Sequence, residues 1–139
     1  MRILGIDTGA KRMGVAVSDG SGLIARPLEV IGAENEEKAL SRLVEIIKTN
    51  NPAEVIIGRP KRTDGKPGES EDRAVRWADM LKARTLVPVK LWDESFSTIE
   101  AERILIERNV RREDRKLLID KVTAAVILQS YLDSGKAKT

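Results

Sequence analysis

The segment Glu54–Gly58 (EVIIG) is apolar without alternation, and it constrains the fold more than any other run in the chain. A strand patterned this way offers no face to water, so it belongs in a parallel sheet with helices covering both sides. The flanking sequence supplies those helices. Leu40, Leu43, Val44 and Ile47 fall at i, i+3, i+4 and i+7, which predicts an amphipathic helix from Asn35 that Asn50-Asn51-Pro52 ends. Ala74, Trp77, Ala78 and Leu81 repeat the spacing and predict a helix from about Ser70 to Arg84, with Trp77 in the core. Val87 to Trp92 reads as the next strand, with Trp92 packed. Ser97-Thr98-Ile99-Glu100 then matches a capping box for a helix through about Arg108. Arg111 to Lys116 reads as a basic, polar link. The last helix carries the apolar run Val122 to Leu128 and closes near Gly135, a residue suited to a C-cap.

Ahead of the first helix, Arg2–Asp7, Met13–Ser18 and Leu23–Ile31 read as three strands joined by short turns, an antiparallel meander. Pro27 places the third at an edge or a bulge. The order β-β-β-α-β-α-β-α-α predicts an α/β fold. Its five-stranded mixed sheet combines a three-strand antiparallel meander with two parallel strands, flanked by helices. With 139 residues, 41% of them hydrophobic, the expectation is one domain over 1–139 with a flexible tail at about 135–139. MRILGIDTG is too short for a signal-peptide core, and no stretch approaches the roughly 20 apolar residues of a membrane span. The expectation is a soluble cytoplasmic protein without a membrane partner.

The chain contains neither histidine nor cysteine. That removes Ser-His-Asp triads, cysteine nucleophiles, disulfides and His- or Cys-ligated zinc, and leaves carboxylates and oxygen-held metals. Three acidic sites stand out. Asp7 closes the first strand, with Gly9 and Gly14 leaving room beside it; a turn-stabilising aspartate is the plainer reading. Asp93 and Glu94 follow the last strand, where open sheets bind ligands, although loop solvation or a helix N-terminus would also account for them. Asp120 precedes the most apolar helical run, where a helix-dipole role suffices for it alone. As a set they form an all-oxygen cluster suited to Mg²⁺ or Mn²⁺.

The runs LGIDTGAKRMGVAVSD, IIGRP with the following DGKPG, LWDESFSTIEAE and IDKVTAAVILQSYL resemble, in order and spacing, the motifs of the YqgF (RuvX) family. These are pre-16S ribosomal RNA nucleases related to RuvC-type Holliday junction resolvases. The resemblance implies a ribonuclease H-like fold and a metal-dependent nuclease processing the 5′ end of pre-16S rRNA. It also implies that Asp7, Glu94 and Asp120 are catalytic and hold the metal. Two positions depart from the family pattern. Ser95 stands where an arginine usually follows the glutamate, and Lys121 stands where the family tends to be apolar.

Lys plus Arg number 25 against 22 acids, a formal charge of +3, and aromatics are only 3%. Nucleic acid would therefore be held through phosphates more than by stacked rings. Lys11, Arg12, Arg59, Lys61, Arg62 and Lys66 follow strand ends on the active edge and are the expected phosphate ligands, with Arg59 or Arg62 standing in for the missing arginine. The run Arg108, Arg111, Arg112, Arg115 and Lys116 reads as solvated surface, broken by Glu113 and Asp114. Pre-rRNA or branched DNA is the expected partner, with ribosomal precursor particles, and monomer and homodimer stay open. Three rival readings remain. One is a branched-DNA resolvase, and another is a non-catalytic rRNA-binding factor. The third is an actin- or hexokinase-type ATPase, for which 139 residues supply one of the two subdomains needed.

Overall fold

The computed structural model describes residues 1–60, 68–94 and 112–135, with residues 94 and 112–121 described by backbone alone. Five strands form one sheet: β1 (Ile3–Asp7), β2 (Arg12–Ser18), β3 (Ala25–Gly32), β4 (Glu54–Pro60) and β5 (Val89–Glu94), in the order β3-β2-β1-β4-β5. β1–β2 and β2–β3 are antiparallel, whereas β1–β4 and β4–β5 are parallel. This is the mixed sheet that the sequence predicts. Pro27 sits on edge strand β3 opposite Ala16, where the β2–β3 register shifts between Val15 and Ala16. A residue without an N–H is tolerated at such an edge.

Among the described residues, three helices cover the two faces: α1 (Glu36–Asn50), α2 (Glu69–Lys82) and α3 (Arg112–Asp133). Asn35 caps α1 by accepting the Lys38 N–H at 3.1 Å, and Asn51 ends it in the left-handed region at φ 46°. Ala39, Leu40, Leu43, Ile46 and Ile47 of α1, with Ala74, Trp77, Ala78 and Leu81 of α2, share one core with Leu4, Ile6, Val55 and Ile57. Trp77 is therefore core, as its spacing predicts. On the opposite face Ala124, Ile127, Leu128 and Tyr131 of α3 pack on Ile3, Ala16 and Ile56. Strand alternation sorts the sheet residues between the two cores.

Some boundaries differ from the sequence reading. β4 runs through Pro60 and β5 through Glu94, because the pair stays in register to Arg59↔Asp93 and Pro60↔Glu94. β5 begins at Val89 because Pro88 has no N–H; its carbonyl accepts from Val55 at 2.8 Å. Leu23 and Ile24 lie in a turn before β3, where both backbone N–H groups donate to Asp19 Oδ1. Residues 112–116 open α3 instead of forming a link, since arginine, lysine and glutamate are good helix formers. Gly135 at φ 74° follows the helix end, as a C-cap glycine should. The capping-box helix at 97–108 and the tail at 136–139 lie outside the described residues.

Candidate active site

The C-terminal ends of the three parallel strands define the site. Ile6, Ile57 and Leu91 are aligned across β1, β4 and β5, so Asp7 lies one residue beyond that row and Glu94 three. Alternation assigns the faces. Ile3 belongs to the α3-side core, a side chain on Gly5 would come within 2.8 Å of Leu128 Cβ, and Asp7 follows at the same parity. Along β5, Trp92 belongs to the α3 side and Glu94 shares its parity. Gly58 has the parity of Ile56 and adds no side chain between them.

α3 sets the third position. Its sheet-facing stripe is Ala124, Ile127, Leu128 and Tyr131, and Asp120 stands one turn before Ala124, about 6 Å along the axis. Tyr131 meets Glu54 at the start of β4, whereas Leu128 lies over Gly5 in mid β1. The helix therefore runs against the parallel strands, and its N-terminal half heads toward the strand ends that carry Asp7 and Glu94. The three predicted acid positions thus lie toward one end of the sheet, Asp7 and Glu94 at the ends of β1 and β5 and Asp120 in the N-terminal half of α3, one turn before its sheet-facing stripe.

Asp7 is half-buried. Thr8 Oγ1, the next hydroxyl along the chain, is buried with no hydrogen-bond partner among the described residues. Gly9 is required by the turn, since a Cβ there would lie 2.3 Å from the Arg12 carbonyl oxygen. Polar oxygens with no nitrogen or sulfur ligand suit a hard divalent cation, so the donor chemistry fits Mg²⁺ or Mn²⁺.

Lys11 and Arg12 are exposed in and after the β1–β2 turn, close in sequence to Asp7. Arg59 is placed differently from its expected role beside Glu94. Its parity turns it to the α2 face, where Nη2 lies 2.6 Å from Asp93 Oδ1 and Nε 3.8 Å from Glu71. Asp93 is thus an ion-pair partner of Arg59 on the face opposite Asp7. Lys61, Arg62, Lys66, Ser95, Arg108 and Arg111 lie outside the described residues, and Arg112, Arg115, Lys116 and Lys121 are described by backbone only.

Sequence patterning misses one cluster. Glu54, fully buried at 0% exposure, accepts a 2.6 Å hydrogen bond from the Tyr131 hydroxyl and pairs with Lys90 Nζ at 2.8 Å. Trp92 packs edge-on against Tyr131 with ring centroids 5.2 Å apart, so it is a packing residue as expected. The available signal is an acid at the first position of an apolar strand, a pattern equally typical of an exposed strand start.

Sheet order and the antiparallel crossing of α3 define a ribonuclease H-like α/β domain. The same fold is found in Thermus thermophilus RuvC solved in complex with Holliday junction substrate (TM-score 0.59, 18% identity, 99% of this chain and 98% of that one). It also occurs in the fowlpox virus resolvase solved with Holliday junction DNA (TM-score 0.57, 14% identity, 99% and 100%). A family model described as "RuvX: Holliday junction resolvase" matches residues 1–134, and the chain belongs to the RuvX family. Among curated relatives, the proteins named "Putative pre-16S rRNA nuclease" from Desulforamulus reducens and Geobacillus sp. (strain WCH70) are 44% and 46% identical. The first covers 97% of this chain and 98% of its own length, the second 96% and 99%.

Proposed function

We propose that this chain is a divalent-metal-dependent nuclease that hydrolyses phosphodiester bonds at the 5′ end of pre-16S rRNA, with Asp7, Glu94 and Asp120 holding Mg²⁺ or Mn²⁺. What supports the reading is the shared face and shared sheet end of the three acid positions, two reached through strand parity and one through helix period. The RNA substrate follows from the relatives' names. Cleavage of branched DNA is the second reading, and the family's description favours it.

A divalent cation bound there supplies an activated water at neutral pH and offsets charge that develops on the phosphate. The chain's own residues do the rest. Asp7, at the end of a strand buried on both sides, is held in a fixed position by the sheet. Gly9 lets the turn after Asp7 close, because any side chain there would strike the Arg12 carbonyl. Lys11 and Arg12 then hold the strand by its phosphates, joined by Lys61, Arg62 and Lys66 from the segment after β4. Arg59 joins them only by exchanging Asp93 for a phosphate.

We assign the whole chain to one nuclease domain working in the cytoplasm on ribosomal precursor particles. Among the described residues no helix is long and apolar enough to cross a membrane. The test incubates purified protein with Mg²⁺ or Mn²⁺ and precursor rRNA, single-stranded RNA, duplex DNA or four-way junctions. Precursor rRNA should be cut, and Asp7→Asn should abolish cutting. Wild-type cleavage by Asp7→Asn refutes the site, and cleavage confined to junctions selects the second reading. RNA binding without metal-dependent cleavage would mark a non-catalytic rRNA-binding factor.

A further inference from the structure

We propose that Glu54, Tyr131 and Lys90 are positioning residues that fix the axial setting of α3 on the sheet, and through it the place of Asp120 relative to Asp7. This rests on the reading of Asp120 as a metal ligand.

The apolar part of the α3 interface does not fix that setting. Leu128 packs over Gly5, but Ala124 and Leu132, one turn to either side, are also apolar and face the same core. Apolar burial is non-directional. A slide of one turn, about 5.4 Å, would keep aliphatic groups on the sheet while shifting the Asp120 position by that distance relative to Asp7.

The polar contacts do not tolerate such a slide. The Tyr131 hydroxyl donates to Glu54 Oε1 at 2.6 Å, and Lys90 Nζ reaches Oε2 at 2.8 Å from the neighbouring strand. Lys90 stays with Glu54 when the helix moves, since both are on the sheet, but a carboxylate with no exposure cannot replace the Tyr131 hydroxyl by water, so moving Tyr131 forfeits a buried hydrogen bond to a charged group. Trp92 supports the tyrosine from the side, with its ring at 73° to that of Tyr131 and its Nε1 3.4 Å from Ser130 Oγ. Tyr131 lies eleven residues from Asp120 on one continuous helix, so the anchor at one end of α3 sets the position of the other.

The test measures Mn²⁺ binding to the metal-free full chain by titration calorimetry, at a temperature where circular dichroism shows each variant folded. Tyr131→Phe should weaken Mn²⁺ binding by about tenfold, the low end for losing a group that orients a metal ligand. Leu43→Ala, in the core on the opposite face, should lose stability yet bind Mn²⁺ like the wild type. If Tyr131→Phe does not fold, Lys90→Met, which removes the partly exposed partner, should weaken binding in the same direction. Unchanged affinity in the folded network variant, or an equal loss in Leu43→Ala, overturns the proposal. Asp120→Asn separates the two levels: if it binds Mn²⁺ like the wild type, the metal-site reading itself has failed.

Discussion

Arg59 and Asp93 are register partners across the parallel β4–β5 pair, and the guanidinium reaches Asp93 Oδ1 from Nε at 2.7 Å and from Nη2 at 2.6 Å. An arginine at the edge of the candidate site is thereby engaged by the residue next to Glu94, on the face away from Asp7. Its charge is already matched, so replacing it should change nucleic-acid binding little. Arg59→Gln should leave the salt dependence of single-stranded RNA binding near that of the wild type, whereas Lys11→Gln should reduce the log–log slope by about one. Asp93→Asn should steepen it by releasing the guanidinium. Fluorescence anisotropy over a salt series reads all three; an Arg59→Gln slope as shallow as that of Lys11→Gln would mean the guanidinium leaves Asp93 for the phosphate.

Gly5 is where α3 comes closest to β1. A Cβ there would lie 2.8 Å from Leu128 Cβ, nearer than two carbons can approach, and the Ala124 carbonyl is 3.5 Å away. Gly5→Ala should cost about 1–3 kcal/mol by overpacking. The cost should shrink when Leu128→Gly is combined with it, because only glycine lacks the Cβ that stands in the way. Urea denaturation of the two single variants and the double variant gives the coupling. Strictly additive losses would show that the strain is relieved elsewhere.

Much of this was legible in the sequence because it rests on periodicity. The unalternating EVIIG run announced a two-sided sheet, and Leu40 and Leu43, like Trp77 and Leu81, announced the helices that cover one face. Asp7 could be placed at a strand end from its neighbours alone. What escaped depends on partners distant in sequence. Arg59 read as a loop cation until β5 extended β4 and alternation turned it toward Glu71. Residues 112–116 pattern as a polar link because they carry no apolar period, although lysine, arginine and glutamate are good helix formers. Glu54 was invisible because its partners, Lys90 and Tyr131, lie 36 and 77 positions away.

The same network predicts how stability ends at high pH. Burial first, and the hydrogen bond to Glu54 next, push the Tyr131 phenol above its ordinary value, and the Glu54 hydrogen bond raises Lys90. Both groups hold their protons more tightly folded than unfolded. Their contribution is therefore fully present below about pH 10, where the unfolded side chains begin to titrate, and is lost as pH rises through the raised folded values. Thermal melts should show the midpoint falling above about pH 10, less steeply in Tyr131→Phe, which lacks the phenol. The chain has a single tyrosine, so tyrosinate absorbance in the folded protein titrates Tyr131 alone. Its midpoint should lie above that of the urea-unfolded chain. A folded midpoint at or below the unfolded one would show that the Tyr131 hydroxyl does not donate to a buried Glu54 carboxylate.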